Sequence, residues 1–231
     1  MANETDAVRD RYARRSASTD AKRYSMLSPS TWQAVQERQR VTLQLFRRLG
    51  YTDLAELRLV EVGAGTGANL LEFLRLGFSP ENLTGIELLS DRASIARRNL
   101  PAAVRFLNGD ATTQPIAPGS IDLVYQSVVF SSLLDDQFQS SLARAMWNWV
   151  RPGGGVLWYD FAYDNPANPD VRGVPVNRVR GLFPEGVTWC KRITLAPPLA
   201  RRVAPIHPAL YTLFNLMPFL RTHRLCWIAK P

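Results

Sequence analysis

Short apolar runs alternate with stretches of helical spacing through the middle of this chain. Runs near 57–62, 83–87, 103–107, 121–126 and 154–161 have the length and composition of buried strands. Between them, 67–76, 90–99 and 135–149 carry apolar residues at helical intervals, as in Leu70, Leu71 and Leu74. This alternation predicts an α/β domain with a largely parallel sheet and helices on both faces. Upstream, residues 1–27 are polar and arginine-rich and read as a mobile arm. Ser28-Pro29-Ser30 then starts a helix running through Leu49, with Trp32, Val35, Leu43 and Phe46 as its candidate buried positions. Downstream, proline, glycine and asparagine in 162–186 predict a long ordered loop. A strand near 187–195, a helix within 205–217 and a last strand near 222–230 complete the pattern. Two parts result: an arm and helix over 1–50, packing on or capping the site, and one domain over 51–231.

Residues 57–70, LRLVEVGAGTGANL, are the most informative stretch. An apolar strand runs into Gly63, Gly65 and Gly67, and a helix follows at once. Glycine permits positive φ and lets a ligand approach the backbone. The helix behind the turn offers free N–H groups and partial positive charge. A nucleotide-like ligand is the expected tenant. Glu87, twenty residues beyond Gly67, follows a second strand and can accept hydrogen bonds from ribose hydroxyls. These features fit NAD and S-adenosylmethionine equally.

Five motifs, taken in order, separate the two. Glu61 stands two residues before Gly63, and Glu87 ends the second strand in GIELLSD. Gly109-Asp110-Ala111 follows the third strand, Asp122 opens the fourth in IDLVYQ, and Arg151-Pro152-Gly153-Gly154 leads into the fifth. In this order and spacing, residues 55–165 resemble the class I S-adenosylmethionine-dependent methyltransferases. With the segment YDNPANPDVRGVPVNRVRGLFP and the tail, the chain resembles bacterial type 11/12-like enzymes of small-molecule or surface-polysaccharide pathways.

The resemblance implies a Rossmann-like, doubly wound, seven-stranded sheet, mostly parallel with an antiparallel last strand. It also implies S-adenosylmethionine as cofactor. The turn Gly63-Ala64-Gly65-Gly67 is expected under its amino-acid end, with Glu61 fixing the turn or the ammonium. Glu87 is expected on the ribose, Leu88 against adenine, Asp110 and Ala111 at the adenine amino group, and Gln126 near the amino-acid end. Acidic residues at turns also serve as caps, and that reading stays open for Glu61 and Asp110.

Methyl transfer from an activated sulfonium needs positioning more than acid–base chemistry. Asp160, ending the fifth strand, is the preferred base or acceptor-orienting residue, with Tyr125 beside it, and a loop-fixing role for Asp160 is equally compatible. Arg172 and Tyr163 are candidates for the acceptor, and Arg201 and Arg202 for recognising an anion. Phe130, Phe161 and Phe183 could shape a pocket. Tyr12 and Tyr24 could join a lid. The segment 210–220 is apolar enough to dock on a membrane or partner, but burial against the domain is expected.

Charge changes the picture in one respect. Residues 49–164 hold 8 basic and 13 acidic side chains, while 165–231 hold 10 and 2. A basic flank favours an anionic small molecule or glycan precursor, although arginine outnumbers lysine 25 to 3, which genome composition alone can produce. The first residues lack an apolar signal core and no run long enough to span a membrane occurs, so a cytoplasmic enzyme, monomer or homodimer, is expected. Cys190 and Cys226 read as reduced core residues, and neither they nor His207 and His223 have metal-ligand spacing. An NAD-dependent oxidoreductase is the first alternative; lysine only at 22, 191 and 230 leaves it without the usual Tyr-x-x-x-Lys pair. An RNA or nucleotide methyltransferase is the second. Specific nucleic-acid binding is not expected, because Tyr125-Gln126-Ser127-Val128 replaces the proline-containing string of base-methylating enzymes.

Overall fold

The strand Leu59–Val62 (β1) is buried along its whole length, because it lies at the centre of the sheet between two parallel neighbours. The computed structural model describes residues 4–16, 25–166 and 168–231. From β1 the chain passes through α3 (Ala68–Leu76), β2 (Leu83–Glu87) and α4 (Ser90–Asn99) to β3 (Arg105–Asn108) at one edge. It then returns to lay β4 (Ile121–Ser127) on the other side of β1, followed by α5 (Asp136–Trp149) and β5 (Val150–Phe161). The order β3-β2-β1-β4-β5 therefore reverses direction between β1 and β4. Open α/β sheets bind ligands at such a switch point, beyond the carboxyl ends of the strands. The glycine turn lies there.

The last strands follow the expected seven-stranded plan. β7 (Arg221–Ala229) inserts antiparallel between β5 and β6 (Val187–Leu195). Alternate residues feed two cores. Val60, Val62, Val124, Trp158 and Ile228 fill one face, while Leu59, Leu123, Leu157 and Leu225 fill the other. β5 begins earlier than its apolar run, at Val150, because Arg151-Pro152-Gly153-Gly154 forms an irregularity in the β4–β5 ladder rather than a separate turn.

Several expectations need correction. Cys190 and Cys226 face each other in the β6–β7 register and form a disulfide, which no periodicity could reveal before the position of β7 was known. Residues 4–16 form a helix, α1 (Glu4–Ser16), rather than a mobile arm. In α2 (Pro29–Arg48), Trp32 is exposed and Val35 and Leu43 only half-buried, whereas Phe46 is buried as expected. The inward stripe is set by Ser30, Glu37, Val41 and Leu45, and Trp32 lies about 200° around the helix from Ser30. Glu37 is inside because it accepts from the Thr194 N–H, the Tyr211 hydroxyl and Asn215 Nδ2 at 3.0, 3.0 and 2.6 Å. The stretch 162–186 contains α6 (Val176–Leu182), and α7 (Pro197–Val203) precedes the expected helix, α8 (Pro208–Asn215). Phe130 and Phe183 pack against Trp158 as core residues. No described helix is long and apolar enough to cross a membrane.

Candidate active site

A cleft of about 570 Å³ opens at the switch point. Its inner wall is Val62-Gly63-Ala64-Gly65, with Asn69 on α3, Glu87-Leu88-Leu89 after β2, and Gly109-Asp110-Ala111 after β3. Its outer wall is Val128, Val129, Ser132 and Leu133 after β4, and Phe138 and Leu142 on α5. Thr5, Val8 and Tyr12 of α1 close over the top.

Backbone geometry explains the residue types. Gly63 has φ +67°, and a Cβ there would lie 2.5 Å from Val129 Cγ2. Gly65 has φ +55° and open space where its Cβ would project, so a ligand can approach that backbone. Val128 adopts φ +53°, a costly conformation for a β-branched residue. It is held there by its N–H on the Tyr159 carbonyl at 2.8 Å. The strained turn carries Val128 and Val129 into the cleft.

The carboxylates sort by position. Glu87 accepts from the Gly65 N–H at 2.7 Å and the Leu89 N–H at 2.9 Å, binding β2's end to the glycine turn. Asp110 Oδ1 accepts from the Thr112 N–H and hydroxyl, both at 2.8 Å, so it caps the turn Ala111–Thr113 while lining the cleft. Glu61 is fully buried behind the turn. One oxygen accepts from Asn69 Nδ2 at 2.7 Å, and the other has no hydrogen-bond partner among the described residues. Burial pushes this carboxyl up to about 8, opposed by the Asn69 bond and the Arg38 guanidinium. Arg38, on α2, donates to Ser127 Oγ at 3.0 Å and Asn69 Oδ1 at 2.7 Å, and lies 5.0 Å over the Tyr159 ring. It places positive charge directly behind two cleft residues. An orphaned buried carboxylate oxygen, open space at Gly65 and Glu87 in the cleft wall fit an adenosine ligand that carries an amino-acid end.

Residues 59–154 match the family model described as a methyltransferase domain. Over those residues the chain carries an S-adenosylmethionine-dependent methyltransferase domain. That match decides between the two adenosine cofactors in favour of S-adenosylmethionine. The human tRNA N(3)-cytidine methyltransferase is 28% identical over 119 residues, 48% of this chain and 31% of that protein. Phosphoethanolamine N-methyltransferase from Triticum aestivum is 26% identical over 138 residues, 57% and 26% of the two chains. The chain spans less than a third of the length of the curated relatives it matches. Among solved structures, geranyl diphosphate C-methyltransferase from Streptomyces coelicolor A3(2), in complex with Mg2+, geranyl diphosphate and S-adenosyl-L-homocysteine, superposes with a TM-score of 0.60 at 13% identity. The likeness covers 82% of this chain and 76% of that one.

Around the methyltransferase cleft, the sequence candidates separate. Gly63, Ala64, Gly65, Glu87, Leu88, Asp110 and Ala111 come together in its wall. Gly67 is the left-handed N-cap of α3, packed against Leu100. Gln126 is buried beneath the outer wall, donating to the Tyr159 carbonyl at 3.3 Å and accepting from the Val129 N–H at 3.0 Å. Tyr125 points to the opposite core and packs edge-on against Phe73. Asp160 is fully buried, accepting from the Ser131 N–H at 3.1 Å and the Phe161 N–H at 2.9 Å. Burial pushes it up to about 7, and its geometry is that of a loop-fixing carboxylate. Arg172 pairs with Asp136 and donates its backbone N–H to Ser131, while Tyr163 is exposed; neither lines the cleft. Arg201 and Arg202 lie on α7, away from it.

Sequence reasoning missed Arg38, Val8, Arg92, Phe138 and Leu142. Only the glycine-turn motif has a fixed local signature; these residues arrive from helices whose docking depends on tertiary packing. Tyr24 lies outside the described residues.

Proposed function

We propose that the protein transfers a methyl group from S-adenosylmethionine to an oxygen or nitrogen of a small acceptor with an apolar body. The observation that carries this reading is the division of one cleft into two halves. The glycine turn, Glu87 and Asp110 form the half suited to the cofactor. Val8, Val129, Leu133, Phe138 and Leu142 wall the other half, with Thr5, Tyr12 and Ser132 as polar points. The cofactor supplies an electrophilic methyl on a positively charged sulfur. The chain supplies position and water exclusion, which are the main requirements of an in-line displacement.

Among the described residues, the carboxylates in the cleft wall are Glu87 and Asp110, both in the cofactor half. The nucleophile is therefore one that needs no early proton removal, such as a neutral amine or an acidic hydroxyl. An apolar wall favours such an acceptor over an unsubstituted sugar. Arg92, at the rim, is the charge an anionic group on the acceptor would meet.

The helix α1 acts in this proposal as a lid. Glu4 accepts from the Leu134 N–H at 2.8 Å and pairs with Arg11 at 2.6 Å, while Arg11 also donates to the Ser132 carbonyl at 3.0 Å. Tyr12 meets Arg92 of α4 in a cation–π contact at 4.4 Å. Glu4 and Arg11 thus tie the lid to the wall after β4, and Tyr12 ties it to α4.

A tRNA acceptor is the second reading, carried by the human relative. Radiolabelled methyl transfer from S-adenosylmethionine separates the two, using a panel of small amines and phenols beside total tRNA. Label in a small molecule and not in tRNA is expected; label in tRNA alone contradicts the proposal.

A further inference from the structure

The hairpin of α7 and α8 joins β6 to β7, so it hangs from the same edge of the sheet as the cleft. Its inner side is a small core of Leu195, Ala200, Val203, Ala204 and Tyr211. Its outer side is also apolar, contrary to the burial expected for 210–220. Ile206 is 75% exposed, Leu213 54%, Leu216 67% and Phe219 72%. Leu213 and Leu216 lie within about 60° of each other on α8, opposite buried Tyr211. Ile206 and Phe219 are exposed in the turns just before and just after the helix. Scattered apolar side chains on a surface need no explanation, whereas four large ones in fourteen residues mark a contact surface.

Charge identifies the contact. No aspartate or glutamate occurs after Glu185, while residues 186–231 hold seven lysines and arginines. Arg201 and Arg202, at the end of α7 just before Ile206, are exposed and have no carboxylate partner among the described residues. Arg221, two residues after Phe219 on the chain's return, is anchored by the Asn215 and Arg192 carbonyls. A second copy of this chain docking face to face would set these cations against their own kind. An anionic lipid surface satisfies both properties at once, taking the apolar strip into its acyl boundary and the arginines at its headgroups.

We propose that the outer face of α7–α8 docks the protein on an anionic membrane surface, Leu213, Leu216, Ile206 and Phe219 entering the lipid and Arg201 and Arg202 meeting the headgroups. The docked face lies on the cleft's edge of the sheet, so docking holds that edge towards the lipid. The short apolar strip makes attachment peripheral and reversible.

Vesicle cosedimentation tests this with the full chain. The probes are vesicles of equal parts phosphatidylglycerol and phosphatidylcholine, and vesicles of phosphatidylcholine alone. Binding to the anionic vesicles is expected, weakened about tenfold or more by Leu213→Ser with Leu216→Ser. Arg201→Gln with Arg202→Gln, and added salt, should also weaken it. Retained S-adenosylhomocysteine binding in these variants shows that they fold, since neither pair touches the cleft. Three results overturn the proposal. One is no binding to anionic vesicles. Another is binding indifferent to the leucine pair or to lipid charge. The third is self-association, seen by light scattering and abolished by the leucine pair, which assigns the face to a second copy.

Discussion

The Glu87 carboxylate is bonded to the Gly65 N–H at 2.7 Å, and its second oxygen to the Leu89 N–H at 2.9 Å. One side chain thus joins the end of β2 to the turn after β1, two elements of the cleft's inner wall. Glu87→Ala removes two charge-assisted bonds from a buried position and should cost about 2–4 kcal/mol of stability. Glu87→Gln keeps one acceptor and should cost less. Denaturant unfolding measures both, and an Ala variant as stable as the parent would contradict this role.

Gly63→Ala should abolish cofactor binding and destabilise the fold by about 1–3 kcal/mol, since it combines positive φ with a contact on Val129. Gly65→Ala meets no atom within 4 Å, so it should cost less stability yet still weaken the ligand's approach. Comparing thermal unfolding with S-adenosylhomocysteine affinity separates these effects.

Two buried carboxyls set a pH dependence. Burial raises Glu61 from 4.5 to about 8 and Asp160 from 3.8 to about 7. Between the ordinary and raised values the folded chain holds protons that the unfolded chain has released, so stability falls as pH rises through this window. The contribution is complete below the ordinary carboxyl range and lost above about pH 8. The unfolding midpoint should therefore decline between about pH 5 and pH 8, and Glu61→Gln should flatten the decline. An unchanged slope in that variant would show that Glu61 is ionised throughout.

The disulfide closes a segment with a sequence separation of 36. Its reduction should lower stability by about 3–4 kcal/mol through the unfolded chain's entropy. Guanidinium unfolding with and without dithiothreitol, beside a count of free thiols, checks this. Free thiols in the untreated protein would contradict the pairing.

The positions of the central strands along the chain, the glycine turn and the placing of Glu87 at the end of β2 were legible because each has a short-range cause: apolar period, breaker residues and fixed spacing. Trp32 was misplaced because a helix's inward face is decided by what it packs on, here the Glu37 network. The cysteine pair depended on the register of a strand inserted between two others. Asp160 and Gln126 stand at cleft-edge positions in the sequence, but their side chains hold the loop after β4 from behind. Arg38 stands 23 residues before Glu61 and reaches the cofactor end only through Asn69 and Ser127.

Deleting residues 1–24 tests the lid. Loss of Thr5, Val8 and Tyr12 removes the cleft's cover, so S-adenosylhomocysteine should bind at least several-fold more weakly. Unchanged affinity would leave α1 as packing only.

Calorimetric titration with S-adenosylhomocysteine, run beside NADH and repeated on Glu87→Ala, tests the central claim most directly. Saturable binding of S-adenosylhomocysteine, absent for NADH and lost in the variant, is the predicted result. Saturable NADH binding without S-adenosylhomocysteine binding would contradict the account.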